Sequence, residues 1–174
     1  MRIELQHCAL REWRRSDKES LVSLANNFNV ARNLSHQFPH PYGDNEADSF
    51  FALLKSQAES AHLAIEVCGL AVGGIGIRIG EGVFSRSAEL GYWLGEPYWG
   101  KGLMTEAVSA FAPYVMSQFR LLRLYAYADA DNHGSLRVLD KTGFVREGVA
   151  RASAFKHGKA IDRVVYAKVV ESDG

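Results

Sequence analysis

The stretch ELGYWLGEPYWGKGLMTE, residues 89–106, constrains the fold more than any other part of the chain. Glu89 to Leu94 carries the β-favouring Tyr92 and Trp93 and reads as a strand. Gly95, Glu96 and Pro97 end it, because Pro97 has no N–H to give to a ladder. Gly100-Lys101-Gly102 then precedes an apolar stripe, Leu103, Ala107, Val108, Phe111 and Val115, that reads as the core face of a helix. A glycine turn that opens a helix leaves backbone N–H groups unpaired at the positive end of the helix dipole. That combination holds phosphate. The pattern lacks the Gly-x-x-x-x-Gly-Lys-Ser/Thr spacing of a P-loop, and the third glycine and downstream acid of a dinucleotide fold. A phosphate-bearing ligand fits it, while ATP and NAD gain no particular support. A plain strand-to-helix turn fits the same residues equally well.

The remaining chain supplies one α/β domain around this segment. Its 174 residues are enough for one sizeable core. Residues 3–13 suggest a first strand. Ser16-Asp17-Lys18-Glu19 matches a capping box ahead of Leu21, Leu24, Ala25 and Phe28, a first helix that continues brokenly to Leu34. Residues 35–44 (SHQFPHPYGD) read as a loop, of the length and aromatic content that function often uses. Asn45 is placed to cap a second helix. Residues 62–68 and 70–80 read as paired strands about Gly69, and Gly73, Gly74 and Gly76 leave room for another backbone or a ligand to approach. The helix over 102–118 contains Pro113, which predicts a kink or an early break. Residues 121–128 read as a strand. Asn132 caps a short helix that ends at Gly143, and a final strand pair turns at His157-Gly158-Lys159. The expected fold is α/β (α+β), one domain over 1–174, with a mixed sheet of six or seven strands flanked by helices.

Charge and cysteine content narrow the partners. Twenty basic and twenty acidic side chains cancel, so no bulk field favours nucleic acid or an anionic membrane. No run of about 18 apolar residues predicts a transmembrane helix, and MRIELQHCALREW has no signal-peptide core. Cys8 and Cys68 lie far apart in apolar, strand-like segments and read as free buried thiols, which makes the cytoplasm the default compartment. Zero net charge weakly favours self-association, which leaves a homodimer open. His36-x-x-x-His40 imitates metal spacing, yet the segment is broken by proline and lacks further ligands, so no metal is expected.

A second stretch, ADADNHGSLRVLDKTGFVREG at 128–148, adds to the first. Glu89-Leu90-Gly91-Tyr92-Trp93-Leu94, Tyr98-Trp99-Gly100-Lys101-Gly102, Thr105-Glu106-Ala107 and Asn132-x-x-Ser135-x-x-Val138-Leu139-x-Lys141-x-Gly143-Phe144 together resemble the GNAT superfamily of acyl-CoA-dependent N-acetyltransferases. The closer likeness is to its RimJ/RimL-like ribosomal-protein subgroup, with weaker echoes in LREWRRSD and FPHPYGDNEAD. This resemblance covers essentially the whole chain. It implies a GNAT-type sheet that is mostly antiparallel, with a splay between its central strands, and acetyl-CoA as co-substrate.

By that resemblance, Tyr92, Trp93 and Leu94 pair through their backbone with the pantetheine arm. Trp99, Gly100, Lys101, Gly102, Leu103, Met104 and Thr105 surround the pyrophosphate. Pro97 stands where the superfamily usually has Gln or Arg, a departure that leaves the backbone donors untouched. Asn132 and Ser135 lie beside the CoA arm and sulfur, with Ser135 able to protonate the departing thiolate. Leu139 occupies the place where many members carry a Tyr for that purpose. Asn132 is also a good plain N-cap, and Ser135 an ordinary first-turn residue. Glu89 can take the proton of the amine, or can simply pair with a surface base. Glu106 reads as an acid favoured by the helix dipole. His40, Tyr42 and Asp162 fall on the acceptor side, and Asp162 can equally form a hairpin ion pair with Arg163 or Lys159. The implied reaction is direct acetyl transfer to a primary amine, foremost a protein or peptide N-terminus. A small amine (polyamine, amino acid or aminoglycoside) and a non-catalytic acyl-CoA-binding module are the alternatives.

Overall fold

Residues 62–67 and 70–79 are apolar at most positions, a pattern satisfied by burial on both faces of a sheet. In the computed structural model, which describes residues 1–35, 38–56 and 61–170, they form β3 (His62–Val67) and β4 (Leu70–Ile79). The two pair antiparallel about Cys68 and Gly69, whose φ angles of 49° and 82° suit a tight hairpin. Cys68 is therefore exposed at a turn, and only Cys8 is buried, which corrects the expectation of two buried thiols.

The single strand expected over 3–13 is two strands, β1 (Arg2–Glu4) and β2 (Ala9–Glu12). They fold back on each other where the Leu5 N–H donates to the Cys8 carbonyl at 2.9 Å. With β5 (Ser87–Leu94), β6 (Arg123–Asp129), β7 (Val145–Lys156) and β8 (Lys159–Val169), the sheet has eight strands rather than six or seven, in the order β1-β2-β3-β4-β5-β6-β8-β7. β5 and β6 run parallel, joined through the helix Leu103–Gln118, while the β1–β2, β2–β3, β3–β4, β6–β8 and β7–β8 pairs are antiparallel. Pairing of β5 with β6 covers Ser87–Glu89 against Arg123–Tyr125, yet β5 continues to Leu94 and β6 to Asp129. The registered pairs of β5 with β6 thus end at Glu89.

The chain gathers into two compact units, residues 1–76 with 92–107, and residues 77–91 with 108–174. The first holds α1 (Lys18–Ala25), α2 (Phe28–Ala31) and α3 (Asp44–Ser56), and α1 and α3 contribute to a core of Leu21, Ala25, Tyr42, Ala47 and Phe51, with Trp13, Phe38, Phe50 and Trp93 packed against it. The turn into α1 is tied by Arg14 N–H donating to the Asp17 carboxylate at 2.8 Å, in place of the expected Ser16–Glu19 box. Asp17 also takes two bonds from Arg11, at 2.7 and 2.9 Å, and Arg11 reaches Glu66 as well. Arg11 is 2% exposed, so these partners keep a buried cation satisfied. Helix α3 starts one residue ahead of Asn45. Gly43 N–H donates to the Glu46 carboxylate at 2.9 Å, which leaves Asn45 inside the helix rather than capping it.

In the second unit, α5 (His133–Lys141) is amphipathic, with Leu139 fully buried. Gly143 closes it at φ 79°, as expected of a C′ glycine. Helix α4 (Leu103–Gln118) runs without a break through Pro113. The early break that the proline allowed does not occur: Pro113 is on the exposed side, while Phe111, Ala112 and Val115 around it are fully buried. Their packing outweighs one lost backbone bond. Among the described residues, no helix is long and apolar enough to cross a membrane.

Candidate functional site

The turn between β5 and α4, in the first unit, is the candidate anion site. Gly100 and Gly102 adopt φ of 73° and 76°, a region side chains resist. The first intrahelical bond of α4 runs from Glu106 N–H to the Gly102 carbonyl at 3.0 Å. The N–H groups of Leu103, Met104 and Thr105 therefore lie ahead of the helical ladder. The Leu103 and Met104 side chains are buried and anchor the turn. A Cβ built at Gly100 or Gly102 meets nothing within 4 Å. Open space beside two glycines and a row of backbone donors is what a pyrophosphate needs, so the residues fit acetyl-CoA.

The end of β5 is held rigidly. Gly95 N–H donates to the Val72 carbonyl at 2.8 Å. A Cβ at Gly73 would overlap the Trp93 carbonyl oxygen, and one at Gly74 would come within 2.8 Å of Trp93 Nε1. The β4 glycines therefore admit another backbone and an indole, one of the two uses expected of them. Gly76 makes room for the His62 ring, whose burial holds the imidazole below its ordinary pKa. Trp99 Nε1–H donates to the Leu94 carbonyl at 2.7 Å, so this indole braces the strand end. Lys101 lies 5.4 Å from the centre of the Tyr98 ring.

Tyr92, Trp93, Leu94, the 99–105 turn, His40 and Tyr42 all belong to the first unit. His40 is exposed, meets Phe28 edge-on at 5.7 Å, and is joined to Pro41 by a cis peptide. Tyr42 departs from expectation. It is 4% exposed in the aromatic core, and burial pushes its hydroxyl pKa up to about 12. Its ring is core material rather than an acceptor-facing group. His36 lies outside the described residues.

Glu106 receives both the backbone N–H of His7 at 2.9 Å and its Nδ1 at 3.0 Å. Burial alone would raise this carboxyl, but the bonds from His7 and the Gln6 backbone outweigh burial and hold it below its ordinary pKa. Glu106 thus ties the β1–β2 turn to the first turn of α4. Cys8, next to the start of β2, is buried near it, and its thiol is pushed up to about 11 by burial and then by the Glu106 charge.

Glu89, Asn132, Ser135 and Asp162 belong to the second unit. Glu89 is half-buried opposite Tyr125 at the last registered pair of β5 with β6. Its carboxylate accepts from Arg78 at 2.5 Å, the surface pair that sequence reasoning weighs against a base role. Burial, and then the Glu89 charge, raise the Tyr125 hydroxyl above its ordinary pKa. Asn132 caps α5, its Oδ1 accepting from Ser135 N–H at 3.2 Å, which leaves its amide donors outside the cap. Asp162 makes neither expected ion pair. Its carboxylate accepts from Ala152 N–H at 2.7 Å across the β7–β8 bulge, where Ala152 has a φ of 48°. It pins an irregular strand, a role invisible without the register.

Two contacts escape sequence reasoning. Arg78 on Glu89 is one. The other is Glu96, which receives the side-chain amides of Asn27 at 2.6 Å and Asn29 at 3.1 Å. The Asn-Asn-x-Asn run at 26–29 is the available signal, since polar amides in a helix break usually find partners.

Comparison with known proteins agrees with this arrangement. The acetyltransferase (GNAT) domain family matches residues 7–145. A relative, the ribosomal-protein-serine acetyltransferase of Escherichia coli K12, is 30% identical over 88 residues, 51% of this chain and 49% of that one. The chain spans about half the length of the curated relatives it matches. Mycobacterium smegmatis RimJ, solved with a CoA-disulfide, superposes with a TM-score of 0.87 at 22% identity, covering 98% of this chain and 87% of that one. The structure of RimL, a ribosomal L7/L12 α-N-protein acetyltransferase in complex with coenzyme A, gives a TM-score of 0.85 at 20% identity, covering 99% and 100%. These two likenesses speak for the fold. With the family match across most of its length, the chain belongs to the GNAT acetyltransferase domain family.

Proposed function

We propose that the protein transfers an acetyl group from acetyl-CoA to a primary amine, the N-terminus of a protein or peptide, by direct attack while both substrates are bound. The observation that carries this reading is the 100–105 turn, with its two left-handed glycines, open space and backbone donors ahead of the helical ladder. Relatives named for ribosomal proteins support a polypeptide acceptor. Two free thiols suit a cytoplasmic setting, and the whole chain serves as one acetyltransferase domain.

Acetyl-CoA supplies an acyl group activated as a thioester. The N–H groups of Gly100 to Thr105 hold its pyrophosphate, with Lys101 adding positive charge. The Tyr92–Leu94 backbone pairs with its pantetheine arm, and a backbone N–H near Leu94 meets the charge that develops on the acetyl oxygen. Trp99 keeps that strand end in place through Leu94. As nitrogen bonds to the acetyl carbon and sulfur leaves, Glu89 takes the proton shed by the amine, directly or through water. Asn132 bonds the CoA arm, and the Ser135 hydroxyl returns a proton to the departing sulfur.

Two measurements test this. CoA release is followed with N-terminal peptides, polyamines, amino acids and aminoglycosides. Turnover confined to peptides supports the proposal, turnover of small amines alone replaces the acceptor, and tight CoA binding without any turnover identifies a binding module. By calorimetry, Gly100→Glu, which puts an anion into the cradle, is expected to weaken CoA binding by about a hundred-fold or more. Unchanged affinity would show that the phosphates sit elsewhere.

A further inference from the structure

We propose that Asn27, Asn29 and Glu96 form a latch that couples the acceptor-side loop to the cofactor turn, making them positioning residues for the proposed transfer. This rests on the acetyltransferase reading given above. All the residues belong to the first unit. Glu96 lies two residues after Leu94 and four before Gly100, on the short turn that joins the strand end to the cradle. Both of its carboxylate oxygens are engaged. Asn27 Nδ2 donates to Oε2 at 2.6 Å, and Asn29 Nδ2 donates to Oε1 at 3.1 Å and Oε2 at 3.3 Å.

Asn27 uses both ends of its amide. Its Oδ1 caps α2, accepting from Asn29 N–H at 2.8 Å and Val30 N–H at 3.4 Å, while its Nδ2 faces the carboxylate. Only one orientation of the amide satisfies both sides. The neighbouring Asn26 points its bonds the other way, its Oδ1 accepting from the Tyr42 N–H at 3.0 Å. Three ring contacts run in parallel. Phe28 meets His40, and Phe38 stands 5.3 Å from both Tyr42 and Trp93. Gly95 lies close against Leu24 of α1, where an added Cβ would come within 3.0 Å. The α1–α2 break and its flanks therefore grip residues 40–42 with one hand and residues 95–96 with the other. A segment that only closed off a helix would need neither set of bonds.

The decisive variant keeps the cap and removes the latch. Asn27→Asp retains an oxygen for Asn29 and Val30, and Asp is as good an N-cap as Asn. It loses the donor to Glu96 and sets two carboxylates against each other. Adding Glu96→Gln restores the pair with its polarity reversed, since the amide introduced at position 96 then donates to the carboxylate introduced at position 27. In the free protein, hydrogen exchange at the Tyr42 amide is expected to quicken about ten-fold in Asn27→Asp and also in Glu96→Ala, which does not touch Tyr42. In kinetics, KM for acetyl-CoA and for the peptide acceptor both rise about ten-fold in Asn27→Asp with a smaller change in kcat, and the double variant recovers. A lowered Tm with unchanged exchange at Tyr42 and unchanged KM values overturns the latch. A double variant no better than Asn27→Asp overturns it too. If the wild type neither binds CoA nor turns over, the acetyltransferase reading fails and takes the positioning role with it. If the wild type is active and the variants match it, the latch alone fails.

Discussion

The two units differ in how they use the same residue types. The first carries eight basic and eleven acidic side chains, the second twelve and nine, so zero net charge conceals a difference of sign. In the first unit, Gly73, Gly74 and Gly76 are crowded, each standing where a Cβ would meet Trp93 or His62. In the second, a Cβ at Gly148 or Gly158 meets nothing within 4 Å. The β4 glycines are spent on packing beside the proposed cofactor strand, while Gly148 and Gly158 lie in open or turning backbone. Carboxylates are held down in both units. In the first, Glu66 is held below its ordinary pKa by Arg11, against burial, and Glu106 by bonds from His7 that outweigh burial. In the second, the Arg123 guanidinium holds Glu147 down in the same way.

The largest test of this contrast is chemical. Glu89→Gln is expected to lower the acetyl-transfer rate about a hundred-fold, most at low pH where free amine is scarce. Because Glu89 already pairs with Arg78, an unaltered pH–rate profile would reduce it to a surface ion pair. Next come the glycines. Gly73→Ala must displace the Trp93 carbonyl and is expected to cost about 1–3 kcal/mol in denaturant unfolding, together with weaker CoA binding. Gly148→Ala is expected to stay within about 0.5 kcal/mol. Equal costs would erase the distinction between the two regions.

The smallest effect is on acid stability. His62, Glu66 and Glu106 all have depressed folded pKa values. Their stabilisation is complete above the unfolded values, about 6.5 for His and about 4.3 for Glu, and is lost as pH falls through the folded values. Hydrogen exchange should therefore show 62–67 losing protection first below about pH 6.5, and the start of α4 following below about pH 4.3. Protection of 62–67 that stayed flat down to about pH 5 would show that His62 charges without cost.

Local pattern makes much of this molecule legible. The turn at 100–102, the Asn132 cap, the Gly143 stop, the Gly69 hairpin and the final strand pair all depend on neighbours within a few residues, so their residue types announce them. Glu106 is legible as a helix-start acid, though its partner, 99 residues away, is not. The misses share one cause. Pro113 is tolerated because of what packs around it, and Tyr42 is core because side chains from α1 and α3 pack about it. Asp162 serves a bulge whose register emerges only when β7 and β8 are laid side by side.

The sequence by itself determined the family, the glycine turn and the order of elements, because these rest on backbone conformation and on short-range spacing. Only the tertiary structure decided what the side chains of that opening segment do. Trp99 braces Leu94, Trp93 lies over the β4 glycines, and Glu96 is gripped by two asparagines from the α1–α2 break. The bonds from Asn27 and Asn29 to Glu96 join segments about seventy residues apart, and such contacts depend on geometry that no local pattern encodes.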